Sequence, residues 1–224
     1  MLTQAIVGFS LLGAEWVLYL LLALSVFSIS LIVERFVFFH QAAKGSERFR
    51  NTIRELVSQG KFSEARTVAT THYEQKASKA PDFETAVAKS LLDHAAAYAQ
   101  ENQKFETEVL NEVATDSLLR VKLQWEKNLA SLATIGNNAP FIGLFGTVLG
   151  IIVAFHDLSQ QSGGGATKIT AGLSEALVAT AIGIFVALPA VAAFNYYQRK
   201  VRASITQGEA LKSHLVGNLA QGKG

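Results

Sequence analysis

The sequence predicts an all-α integral membrane protein. It has three transmembrane helices, its N-terminus outside, its C-terminus inside, and a long-helix cytoplasmic domain between the first two spans. Three observations predict this. Of the 38 charged residues, 26 lie between His40 and Lys127, half acidic and half basic, although the whole chain has 224 residues. Three runs free of formal charge are long enough to cross a bilayer, which takes roughly 20 apolar residues. Lys and Arg crowd one set of flanks, as cytoplasmic segments do. The total charged fraction, 17% against about 25% in a soluble domain, is only modestly low, so placement decides.

The segments follow in order. Residues 1–15 form an outer N-terminus. No Lys or Arg precedes Arg35, so a signal peptide's basic leader is absent and the first apolar run is expected to stay as an anchor. Residues 16–33 are uncharged, and Phe36 to Phe39 extend the run past Glu34 and Arg35, giving a first span over 16–39. Trp16 and Tyr19 suit an interface. Residues 40–127 form the cytoplasmic domain, rich in Ala, Glu, Lys and Gln, which favour helix. Phe49, Ile53, Leu56 and Val57 mark one helical stripe, which Gly60 ends. Ser63 is expected to cap a second helix carrying Ala65, Val68 and Ala69. Asp82 is expected to cap a long third helix through Val87, Leu91, Leu92, Ala95, Val109, Val113, Leu118, Leu119 and Val121, running close to the second span and joining it. The mixed charges read as a solvated face with helical ion pairs.

The second span covers 128–156, an outer loop with a Gly163–Gly165 run covers 157–174, the third span covers 175–198, and a cytoplasmic tail covers 199–224. Orientation comes from the flanks. Arg35, Lys44, Arg48, Arg50 and Arg54 follow the first span, Arg120, Lys122 and Lys127 precede the second, and Arg199, Lys200 and Arg202 follow the third. The outer loop has only Lys168.

Several chemistries are excluded. With no Cys there is no disulfide scaffold, thiolate metal site or thiol nucleophile. A net charge of +2 without a basic run gives no nucleic-acid footprint. There is no GxxxxGK[ST] loop for a nucleotide, so an ion gradient rather than ATP is the expected energy source. His156 and Asp157 lack a third metal ligand. Ser174 lacks the following Gly of a nucleophile elbow and reads as a helix-start residue, so neither a metal, a cofactor nor a hydrolase is expected.

The later spans differ in kind from the first, which is rich in Leu, Val, Ile and Phe. Ala139, Gly143, Gly146, Thr147 and Gly150 put small side chains along one side of the second span, and Ala176, Thr180, Gly183 and Ala187 do so in the third. Small residues let membrane helices approach closely, so the glycines by themselves describe a tight helix–helix interface. A Thr in a membrane helix ordinarily back-bonds to the carbonyl four residues earlier. Thr147 and Thr180, however, sit on the small-residue faces of neighbouring spans at similar depth, where two hydroxyls also suit a narrow polar path. Pro140 and Pro189 interrupt helical runs and favour kinks. No carboxylate lies deep in a span: Glu175 opens the third, where the helix dipole alone also accounts for it. A carboxylate at mid-membrane would have to come from a partner.

Three stretches carry a resemblance: Leu132-Ala-Thr-Ile-Gly136, Ala139-Pro-Phe-Ile-Gly-Leu-Phe-Gly-Thr-Val-Leu-Gly150, and Gly172-Leu-Ser-Glu-Ala-Leu-Val-Ala-Thr-Ala-Ile-Gly183 with Ala187-Leu-Pro-Ala190. Together they closely resemble the MotA/TolQ/ExbB proton-channel family, most of all its ExbB branch with TolQ next. Leu149 stands where many relatives carry Trp. The resemblance implies a homo-oligomeric ring, a pentamer, in the inner membrane of a Gram-negative bacterium. It implies a partner resembling ExbD or TolR, whose single span carries an essential Asp, and a TonB-like protein receiving the energy. It further implies that Thr147 and Thr180 line the pore, that Glu175 lies at its outer part, and that Pro189 shapes the third helix.

Overall fold

The computed structural model describes residues 15–77, 80–100, 106–159 and 165–220. Among these, every regular element is an α-helix: α1 Glu15–Ala43, α2 Ser46–Ser58, α3 Phe62–Ala77, α4 Phe83–Gln100, α5 Thr107–Glu126, α6 Leu129–Ser159 and α7 Gly165–Ala220. Three long apolar helices can each span a membrane, so this is a multi-pass membrane protein. The described residues fall into two units. One contains 15–33 and 128–196, the other 34–127 and 197–220.

In the first unit α1, α6 and α7 each bury a narrow line of side chains and expose the rest. On α1 the buried line is Val17, Leu21, Ser28 and Leu31, with spacings that keep one face of a helix inward. Leu22, Val26, Phe27, Ile29 and Val33 point out. On α6 the inward line is Leu132, Ile135, Gly136, Ala139, Gly143, Gly146, Thr147, Gly150 and Ala154. Phe141, Leu144, Phe145, Val148 and Phe155 face outward, as do Leu177, Val178, Ile184, Phe185 and Leu188 of α7. Along the middle of α6 and on α7, large apolar side chains outside and mostly small ones inside reverse the pattern of a water-soluble bundle, and suit helices whose surroundings are lipid or other apolar helices.

The second unit is ordered the other way. Gly45 turns the chain after α1 in the left-handed region (φ 79°), and α2 then buries Phe49, Ile53 and Val57. Gly60 (φ 74°) ends α2 with its N–H bonded to the Val57 carbonyl, as its position between two helical patterns predicts. Helix α3 begins at Phe62, with the Lys61 carbonyl accepting the Ala65 N–H, so Ser63 lies inside the first turn and does not cap it. Asp82 does cap α4: its Oδ1 accepts the Thr85 N–H at 2.7 Å. α2 packs on α3 and α4, α3 on α4, and α4 on α5.

Three expectations fail here. The long third helix of the insert is two helices, α4 and α5, which pack against each other instead of continuing. Local helix propensity runs on through this stretch, whereas burying Leu91 and Leu92 together with Leu110, Ala114 and Leu118 needs a partner helix. Leu119, expected on the inner face, is exposed. Nor does α5 join the second span as one helix. Lys127 leaves helical geometry and Asn128 takes φ 65°, a left-handed conformation that Asn tolerates better than most residues.

Trp125 organises the core of this unit. Its ring lies edge-on to Phe38 and Phe39 and tilted against Phe83, with centroids 5.9, 5.0 and 4.9 Å away. Its Nε1 donates to the Pro81 carbonyl at 2.7 Å. Tyr197 stacks on Phe39 at 4.9 Å. Helical ion pairs occur as expected, at Lys89–Asp93, Arg120–Asp116 and Lys122–Glu126. Burial opposes the charge on Asp93, but hydrogen bonds from Lys89 and Arg66 outweigh it and hold its carboxyl below the usual range. Two further pairs join different elements: Arg50 with Glu84, and Lys76 with Asp82 at 2.7 Å.

Candidate functional site: a glycine seam holding two hydroxyls

Helices α6 and α7 meet where almost no side chain separates them. A Cβ on Gly143 would lie 2.7 Å from the Ala179 carbonyl oxygen, and one on Gly183 would lie 2.6 Å from that of Ala139. Backbone cannot retreat as a side chain does, so glycine is required at both positions. A Cβ on Gly146 would meet the Ala179 Cβ at 2.9 Å and Val17 of α1 at 3.0 Å, so α1 covers the same stretch. Gly150 is buried on the same line.

Thr147 and Thr180 enter this seam and their hydroxyls hydrogen-bond each other. Thr147 Oγ1 also lies 3.1 Å from the Ala176 carbonyl oxygen and 3.3 Å from that of Gly143, which Thr180 Oγ1 approaches at 3.3 Å too. Each hydroxyl has one proton and two lone pairs. Two protons therefore face two carbonyls and each other, and more than one donor pattern satisfies the pair. Such an arrangement can redistribute its two protons among the two carbonyls and the partner hydroxyl. It cannot store charge, because a Thr hydroxyl does not ionise at ordinary pH. Thr147 is buried and Thr180 half-buried.

The other predicted residues fall as follows. Pro140 and Pro189 lie inside α6 and α7, and both helices run through them. Pro140 has no N–H for the Gly136 carbonyl. Gly136 itself packs so closely on Val191 that a Cβ would meet its Cγ2 at 2.5 Å. Leu149 is buried. Glu175 is exposed on α7. Because α7 starts at Gly165, Glu175 lies well past the first turn, beyond reach of the dipole effect that would account for it at a helix start. Ser174 is likewise interior, its Oγ donating to the Thr170 carbonyl at 2.7 Å. The helix begins earlier than expected because Gly172, which reads as loop, packs against Ala154, where a Cβ would come within 3.1 Å. Gly163 and Gly164 lie outside the described residues. Among those described, no three His, Asp or Glu side chains gather as a metal site.

Sequence reasoning missed Arg35. It reads as a charge closing the first span, yet only 2% of it is exposed. Its guanidinium is paired with Glu34, sits 4.6 Å over the Phe38 ring and donates to the Gln124 carbonyl at 3.4 Å. The Phe36 to Phe39 run was the available signal, since Arg stacks on aromatic faces.

Residues 76–210 match the model of the MotA/TolQ/ExbB proton channel family. A biopolymer transport protein ExbB of Neisseria meningitidis serogroup A is 30% identical over 183 residues, 82% of this chain and 81% of that protein. A biopolymer transport protein ExbB of Helicobacter pylori is 47% identical over 87 residues, 39% of this chain and 60% of its own length. The Tol-Pal system protein TolQ of Pseudomonas aeruginosa is 40% identical over 84 residues, 38% of this chain and 36% of that one. The chain thus spans about three fifths of the length of the Helicobacter relative.

Proposed function

The chain belongs to the MotA/TolQ/ExbB proton channel family, and we propose that it is an ExbB-like motor subunit that conducts protons along the Thr147–Thr180 seam. The family is one of proton channels rather than of catalysts. In this reading five copies form a ring in the inner membrane of a Gram-negative bacterium, with the N-terminus outside. The ring surrounds a single-span partner resembling ExbD or TolR, whose Asp supplies the carboxylate that no deep position of this chain provides. Protons cross from the Glu175 end past Thr147 and Thr180 to that Asp. The proton motive force so captured moves the partner and drives a TonB-like protein in transport across the outer membrane.

The hydroxyl pair carries this reading. Gly143 and Gly183 bring the helices close enough for two Thr side chains to share protons across the gap. A purely adhesive seam needs only the glycines. Pro140 and Pro189 support it further, since proline inside a span is tolerated where neighbouring groups compensate the freed carbonyls, and helices so built can move.

Thr147→Val combined with Thr180→Val tests it. Interhelical hydrogen bonds in membranes average about 0.6 kcal/mol, so the ring should still assemble and bind its partner. Proton-driven uptake should fall at least tenfold. Unchanged uptake would leave the chain a passive membrane scaffold. The similarity to TolQ favours one second reading, a subunit energising envelope maintenance. Deleting the gene and scoring envelope integrity against outer-membrane uptake separates the two.

A further inference from the structure

A polar joint sits where the end of α1, the start of α2, the last turn of α3 and the N-terminus of α4 converge. The Lys76 ammonium has three acceptors: the Ala42 carbonyl at 2.9 Å, Ser46 Oγ at 3.2 Å and Asp82 Oδ2 at 2.7 Å. Asp82 gives its other oxygen to the Thr85 N–H, so each carboxylate oxygen already accepts one hydrogen bond. One turn before Lys76 on α3, the His72 ring stacks on Phe49 of α2 at 4.6 Å, and its Nδ1 lies 3.2 Å from Thr85 Oγ1 of α4. From the joint we infer that His72 is a pH-sensitive latch on this unit: neutral, it holds α2, α3 and α4 together, and protonated, it lets them part.

The charged surroundings favour the neutral ring. On α3 it faces Lys76. From α4 it faces Asp82, already bound to that lysine. Lys44, after α1, lines the same pocket as His72 and Lys76, and on α2 Arg50 is paired with Glu84. A second N–H on the imidazole faces a carboxylate whose two oxygens already accept from Lys76 and from the Thr85 N–H. A charged ring competes with Lys76 for Asp82, weakening the hold on the Ala42 carbonyl at the end of α1, or leaves its stack on Phe49 for solvent. Burial first, and Lys76 second, push the His72 imidazole below its ordinary 6.5, with Asp82 acting against them. The sign follows. The opened joint binds a proton more readily than the closed one, so closure is complete above pH 6.5 and weakens as pH falls through that value toward the lower one. The latch extends the proposed function without depending on it: acidification would loosen the hold of Lys76 on Ala42 at the end of α1.

Hydrogen exchange on the full chain in lipid nanodiscs tests the latch, with rates corrected for the intrinsic pH dependence. In the wild type, peptides covering 42–50, 68–76 and 82–90 should lose protection between pH 7.5 and 5.5, by up to about tenfold per pH unit for one proton. His72→Gln, which keeps a bond to Thr85 but cannot be charged, should show no such loss. Acid-induced opening of equal size in His72→Gln, or none in the wild type, overturns the proposal. Should that variant fail to fold, the wild-type His72 ring titration, followed by NMR, must coincide with the exchange transition. A ring titrating at or above 6.5 overturns the proposal as well.

Discussion

The two units solve the same packing problem in opposite ways. Where α6 meets α7, contact is made by removing side chains, and polar cohesion comes from two hydroxyls and two carbonyls. Around Trp125, contact is made by adding them: four further aromatic rings gather there, with Arg50–Glu84 and Lys76–Asp82 tying the helices nearby. The solvent explains the contrast. In water, burying a large ring stabilises in proportion to the apolar area removed. In lipid that force between helices disappears, leaving close backbone contact and hydrogen bonds.

The aromatic unit should break most severely. Trp125→Ala removes a ring packed on three others and orphans the Pro81 carbonyl, and should cost about 3–5 kcal/mol in thermal unfolding. Trp125→Phe, which loses mainly the hydrogen bond, should cost clearly less. Next comes Glu84→Gln. Breaking a buried pair costs about 3–5 kcal/mol, and because Arg50 keeps some solvent access the loss should be about 2–3 kcal/mol. Without Glu84, whose hydrogen bond raises it, the Arg50 pKa should drop back.

In the seam, Gly143→Ala or Gly183→Ala should cost about 1–3 kcal/mol, because the added methyl meets backbone. Either should also depress proton-driven uptake by spreading the hydroxyls, whereas Gly217→Ala, with open space at its Cβ, should do neither. The smallest effect is expected at Asp93, which is partly exposed. Asp93→Asn should cost about 0.2–1 kcal/mol near neutral pH. Its carboxyl is held below the usual 3.8, so wild-type stability from this group is present above that value and lost as pH falls below it. The variant's unfolding curve should lack that acid component.

How much was legible divides along the same line. The three spans and the small-residue faces are properties of composition and spacing, and they appear as α1, α6 and α7. Asp82 and Gly60 were legible because caps and helix ends are local chemistry. The break between α4 and α5 was not, because local helix propensity runs on through this stretch and only a packing partner requires two helices. Trp125 was missed for a related reason, since its partner Pro81 lies 44 positions away. For the site, sequence placed Thr147 and Thr180 on facing helices, but their shared hydrogen bond depends on how closely Gly143 and Gly183 meet. The start of α7 was misread because glycine signals loop in sequence yet close approach at Gly172.

The central claim is that the seam's hydroxyls, not merely its closeness, serve the proton path. Proton flux into liposomes holding the chain with the carboxylate-bearing partner proposed for it tests this directly, comparing Thr147→Ser/Thr180→Ser with Thr147→Val/Thr180→Val. The account predicts near wild-type flux for the serine pair and at least a tenfold loss for the valine pair at equal assembly. Equal flux through the valine pair would contradict it.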